Sequence, residues 1–395
     1  MRRFKLVLCL FLSLTLTLQA QSIINSKDYI LPIEKSADEY ACLFRGDTLV
    51  VVVYDSYEDA VTLFNFVADR IVNSKEYRHL DINKFLCLTP DLKLYTPYSI
   101  IDLNTGQMHE FEPNIEDIRD RQKYELAYPT KNGAYLVYTD HTDTYFHIAP
   151  DNANREYTKF CAVEFNGTTL SEPVRNREGK IDCDGFYAVC NQDTLYTVWQ
   201  ESAKKSNNLL SSGDYINVFM TGKYYDGRWS DMDTIYASSD NPDLMRKIKG
   251  LFLMENTFYQ FWDVYDLTLD KTYHYFRWSK DFAMWSDICT IDSGLSRNTF
   301  YDSINNLLYS IDDYGKEYLV SVFNGKNLKE YSDLGLSDAH DSQIAFDSEG
   351  NAHLFWLVSY DKVYNQYGGT GGQAEKATLT RYALHHAMLS DLIGE

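Results

Sequence analysis

Cys-x-x-Cys and His-x-x-x-His pairs are missing from this chain, and no phosphate-binding loop, dinucleotide fingerprint or Gly-x-Ser-x-Gly elbow stands in a suitable context. Their absence excludes a zinc clip built on paired cysteines, a nucleotide cradle of the familiar kinds and a serine-hydrolase elbow. The glycine-rich stretch 368–372 reads as a flexible loop, because no Lys-Ser or Lys-Thr follows it and no helix begins there. Positive charge is also scarce, with 37 Lys and Arg against 57 Asp and Glu and a net charge of −20. Such a surface repels nucleic acid and anionic membranes, so neither is expected as a partner. Past the N-terminus no apolar run approaches the roughly 18 residues that a membrane-spanning helix needs.

The N-terminus itself carries Arg2, Arg3 and Lys5, then an almost wholly apolar Leu6 to Leu18, then Gln19-Ala20 before Gln21. That order predicts a secretory signal peptide over residues 1–20 and a periplasmic or secreted protein. Removing it leaves 34 basic against 57 acidic residues, a net charge of −23. Six cysteines stay in the mature chain: Cys42, Cys87, Cys161, Cys183, Cys190 and Cys289. An oxidising compartment permits one or two pairs, buried free thiols are an equal alternative, and the spacing does not choose.

What the sequence has in quantity is aromatic side chains, 32 Tyr, 21 Phe and 6 Trp, spread along short runs that alternate at period two. Such runs suit many short strands packed face to face. Residues 343–356 set the pattern: an apolar run, an Asp-Ser-Glu-Gly-Asn turn, and a second run ending in Phe355-Trp356. Similar hairpins recur with Asn-Gly or Asp-Gly turns at 132–133, 166–167, 226–227 and 324–325. The units repeat at about 40 to 60 residues, which predicts an all-β propeller of four-stranded blades. Seven blades fit the length, and fusing the first two units gives six. Residues 39–395 are expected to form one domain, with 21–38 preceding it and Tyr29 to Ile33 available to close the last blade. Ile115 to Tyr124 and Asn241 to Ile248 read as linkers or single helical turns.

Ser279-Lys280-Asp281-Phe282-Ala283-Met284-Trp285, between two strands, resembles the Asp-box turn of sialidase-like propellers, with Ala283 in place of the usual Gly. The Tyr-Asp-Gly-Arg-Trp-Ser run at 225–230 and the hairpin at 343–356 are similar to the same superfamily. The resemblance implies a propeller that often binds or processes glycans, without fixing a reaction. Sialidases also carry a Phe-Arg-Ile-Pro entry motif; here Phe44-Arg45 is followed by Gly-Asp and Phe276-Arg277 by Trp-Ser, so an intact sialidase site is not expected.

Aligning the units on their second strand places an acidic residue at or just after its aromatic end: Asp55, Asp140, Glu201, Asp263 and Asp312. Equivalent positions of a radial repeat share a face, so these carboxylates are expected to rim one mouth, together with His141, Arg297, His340 and Asp341. Carboxylates beside aromatics are what a sugar site needs; two about 5 to 9 Å apart favour hydrolysis. The same oxygens could hold calcium, although no cofactor is identified. Charged strand ends that merely meet water are the bland alternative. The sequence therefore reads as a secreted, monomeric propeller that binds or processes glycans, as a glycoside hydrolase or polysaccharide lyase if it is an enzyme. A non-catalytic protein-interaction scaffold is the competing class. No catalytic residue is assigned.

Overall fold

The computed structural model describes residues 30–33, 36–67, 70–78, 84–111, 125–143, 156–176, 182–204, 215–237, 244–296, 298–312, 318–332, 334, 336, 339–366 and 375–393. Their strands form seven antiparallel sheets, six of four strands and a last one of three. The only helix among the described residues is the single turn Leu389–Ile393. The protein is a seven-bladed propeller, and the six-bladed alternative is excluded because Cys87–Leu88 to Gln107–Glu110 make a sheet of their own.

Successive strands of each blade pair in chain order, and first strands touch from blade 6 through blades 7, 1, 2, 3 and 4 to blade 5, so the first strands line the axis. An inner strand runs from one face of the ring to the other and its neighbour returns. The beginnings of inner strands and the ends of second strands therefore share a face, called here the upper face.

Period-two alternation explains the packing between blades. Each strand points one set of side chains at the preceding blade and the other at the next. Seven apolar clusters span the interfaces, one for each, and an eighth lies within blade 3; Trp199 and Tyr224 pack on Tyr135 and Phe160, for example, and Phe261 and Phe276 pack on Phe323. Each large ring removes about 150–250 Å² from water, so interfaces built on them dominate the stability of the ring.

The interface that closes the ring joins Tyr40, Val51, Val53 and Phe66 of blade 1 to Phe355, Leu357 and Leu384 of blade 7. Ile30 forms a bridge to His385, and the Leu31 N–H donates to the Leu384 carbonyl at 3.0 Å. The start of the described chain thus lies on the free edge of the final sheet, with Leu31 buried in the closing cluster.

One expectation needs correction. Residues 244–248 are not a helical turn but the start of the inner strand Leu244–Met254. Its register shifts between the Ile248–Trp262 and Gly250–Phe261 pairs, which makes Lys249 an extra residue. A bulge breaks alternation and so conceals a strand from a period count. The inner strands of blades 4 and 7 carry comparable irregularities, between Asp184 and Tyr187 and between His340 and Gln343. All three face the second-strand tryptophans Trp199, Trp262 and Trp356 or their immediate neighbours.

The box at 279–285 closes as its resemblance implies. Ser279 Oγ accepts the Phe282 N–H at 3.0 Å, and Asp281 Oδ1 accepts those of Ala283 and Met284 at 2.9 and 2.8 Å. The left-handed residue is Phe282, with φ 61°, so Ala283 in place of Gly carries no backbone strain.

Candidate functional site

A cavity of about 450 Å³ opens among the inner strands of blades 1, 2, 6 and 7. Glu39 to Cys42, Lys84 to Leu88, Asn298, Phe300 and Asp341 to Gln343 line it. These residues enter or begin their strands, so the cavity belongs to the upper face. It falls in the size range of small-ligand sites.

Its charged groups come from three loops. Glu39 is half-buried, and burial is the main reason its carboxyl is held above the usual range. A hydrogen bond from the Phe85 backbone opposes that shift, the charge of Asp341 adds to it, and Lys84 opposes it. Asp341 sits in the bulge with φ 50° and accepts His340 Nδ1 at 2.9 Å. The Tyr40 hydroxyl holds this bend from below, donating to the carbonyls of Asp341 and of Phe355, the latter at 3.0 Å. Asp341 thus lines the cavity, and His340 stands next to it, hydrogen-bonded to its carboxylate. Glu39 and Lys84 were missed, although both enter inner strands in the same way as His340.

Asp263 belongs to a second cluster. Its Oδ1 accepts His274 Nδ1 at 2.7 Å, and its Oδ2 meets Lys249 Nζ at 3.1 Å. The bulge supplies Lys249, and the linker into blade 6 crosses above: a Cβ on Gly294 would lie 2.7 Å from His274 Nδ1 and 3.2 Å from Asp263 Oδ1. Only glycine allows that approach. All three side chains are partly open to solvent.

The other candidates do not join these two groups. Asp55 is fully buried, where Arg381 meets it at 3.2 Å through both terminal nitrogens and the N–H groups of Ser36 and Tyr57 donate to it. It ties blade 1 to blade 7 and is no rim residue. Glu201 is buried too and accepts the indole N–H of Trp199 at 2.9 Å. Asp312 lies exposed at the end of the second strand of blade 6. Asp140 and His141 pair with Lys159 and Thr158 in blade 3, their side chains lying outside the described part, and Arg297 lies outside the described residues.

The aromatic ends of the second strands also need correction as mouth residues. Tyr54, Trp199, Trp262 and Tyr309 are buried between blades, and Tyr138 is buried against Cys161 and Val163 of its own blade. The second strand stands one step out from the axis, so its side chains point into the interfaces and not into the channel. Phe85, Phe300 and Tyr40 are the rings that line the cavity. Arg277 is likewise structural: it donates twice to Gln260 Oε1, at 2.9 and 2.7 Å, and lies against Trp285, and burial lowers its pKa to about 10. Among the described residues no group of three or more His, Cys, Asp or Glu is placed to hold a metal ion, so no calcium site can be named among them.

No family model matches the chain, and no curated protein does. Solved structures do resemble it. A polysaccharide lyase overlays with a TM-score of 0.49 at 11% identity, covering 92% of this chain and 94% of that one. The sialidase of Trypanosoma rangeli, in complex with sialic acid, gives 0.36 at 12% identity, over 75% and 57% of the two chains. An endo-arabinase from Bacteroides thetaiotaomicron gives 0.34 at 8% identity, over 89% and 96%. At these identities the likeness is one of propeller architecture.

Proposed function

We propose that this propeller binds a glycan at the upper mouth and acts on it there, in the periplasm or outside the cell. One observation carries the reading: Glu39, a carboxyl kept protonated to higher pH by burial, shares a cavity with Asp341, whose Oδ2 is bonded to Nδ1 of the adjacent His340. A proton donor beside a second carboxylate is the pairing that glycosidic chemistry uses. Glu39 is the donor in this reading, Asp341 the partner carboxylate, and Phe85 and Phe300 offer faces on which a sugar ring can rest. The excess of acid over base favours neutral saccharides over polyanions.

The test is an array of oligosaccharides and polysaccharides probed with the mature protein, with and without calcium, followed by product analysis of every hit. The reading expects saturable binding that Glu39→Gln preserves, together with product formation that Glu39→Gln lowers at least 100-fold, the usual span for a lost acid catalyst. Silence across the array overturns it and leaves the protein-interaction scaffold. Binding without products reduces it to a lectin-like module.

A further inference from the structure

The cluster in blade 5 has the layout of a proton acceptor, and nothing in the cavity described above uses it. An ionised carboxylate can only accept hydrogen bonds, so Asp263 fixes the proton of His274 on Nδ1. The Nε2 lone pair is then the basic position, and among the described residues no hydrogen bond to it is formed. Lys249 Nζ pairs with the other carboxylate oxygen at 3.1 Å. The groups that face the ring are Lys249 from the inner strand, Asp263 from the second strand, and the backbone of Gly294 from the linker. The neighbours in register are Lys247 opposite Asp263 and Ile291 opposite His274.

Two local features look built for this arrangement. The extra residue of the bulge turns a lysine that strict alternation would point elsewhere onto Asp263. Gly294 lets the linker lie close over the dyad, and any side chain there would push the imidazole aside. That linker runs straight into the wall of the cavity: Gly294 covers the cluster, while Asn298 and Phe300 line the mouth. Four residues span at most about 14 Å, within reach of one oligosaccharide.

We propose that His274 is the proton acceptor of the upper face, with Asp263 as its positioning residue and Lys249 as the cation paired with the second oxygen of Asp263. In the step itself, the O–H bond of a water or sugar hydroxyl breaks, its electron pair stays on oxygen, and the proton forms an N–H bond at Nε2. The imidazolium so formed is stabilised by Asp263, in the manner of a carboxylate behind a catalytic histidine. The inference rests on the glycan reading and extends it by a second group.

The experiment takes a polysaccharide that the mature wild-type protein degrades and measures pH–rate profiles for wild type, His274→Gln and Asp263→Asn, with melting temperature as the folding control. The expected result is a kcat at least 100-fold lower in His274→Gln with KM within threefold, and loss of the acid limb of the profile. Asp263→Asn should lower kcat at least tenfold. In 15N spectra of the folded wild type His274 should be the Nδ1–H tautomer, and in Asp263→Asn that preference should disappear. A His274→Gln protein that keeps its rate and its acid limb overturns the inference and leaves the glycan reading intact. Binding without turnover by the wild type also overturns it, while the absence of any binding overturns both. If His274→Gln does not fold, the Asp263→Asn profile and tautomer decide.

Discussion

Glu39 carries a half-buried carboxyl that works against the fold. Its raised pKa means that the folded protein binds its proton more tightly than the unfolded chain does. The stability this contributes is fully present below the unfolded pKa and is lost as pH rises through the folded one. At pH 7 the carboxylate is therefore a burden, and Glu39→Gln is expected to leave the melting temperature unchanged or raise it. Below about pH 4 the two proteins should melt alike; a variant that melts lower at pH 7 would mean that the ionised carboxylate holds the fold together. The signal for Glu39 was available in the sequence, because the rule that loops entering inner strands open on the upper face applies to Asp38-Glu39 as it does to His340-Asp341. Lys249 and His274 could not be read this way. One sits in a bulge that period counting mistakes for a break, and the other lies in a third strand, where only the register shows that it meets Asp263.

Whole elements were more legible than single side chains. Asn-Gly and Asp-Gly turns flanked by apolar runs located most hairpins, since the two-residue turn chemistry is local. What alignment on strand ends could not reveal is depth: Asp55 and Glu201 share a topological position with Asp263, yet each interface encloses its carboxylate differently. For Asp55 the enclosure is complete, and its partner Arg381 lies in the third strand of blade 7. Removing one member of such a pair leaves a buried charge uncompensated, so Arg381→Ala is expected to cost about 3–5 kcal/mol, read from urea unfolding. Adding Asp55→Asn should recover part of that loss; no recovery would show that the pair does not act as one unit.

The Asp347 turn makes a second case. Burial works to raise this carboxyl, but bonds from Asn351, His353 and the Glu349 N–H outweigh it and bring the pKa down to about 2. Stability from a depressed carboxyl is present above its unfolded pKa and is lost as pH falls towards about 2. Asp347→Asn should therefore destabilise the protein more at pH 7 than at pH 2. An equal loss at both pH values would point to packing instead of charge.

At the scale of the molecule the ring is a closed chain of seven interfaces, and opening one exposes the two blade faces that met there. The closing interface joins residues more than 300 positions apart, as the bond from Gln343 Nε2 to the Tyr40 carbonyl at 2.8 Å illustrates. Leu31 is buried in that interface and its backbone extends the last sheet. Leu31→Ala is expected to cost about 2–4 kcal/mol and to lower one cooperative transition. A separate early transition confined to blade 7 would contradict a ring that unfolds as a unit. Architecture was legible because it is repeated many times along the chain; the site was only partly so, because it is built from single residues that break the repeat.

The central claim is that the upper mouth, lined by Glu39, Lys84 and Asp341, is where a glycan sits. Hydrogen exchange on the mature protein, with and without an oligosaccharide found by the array, tests it most directly. The account predicts slowed exchange at residues 39–42, 84–88 and 341–343, with the opposite mouth around Tyr128, Val189 and Leu253 unchanged. Protection confined to that opposite mouth, or to the outer edges of the blades, would contradict it.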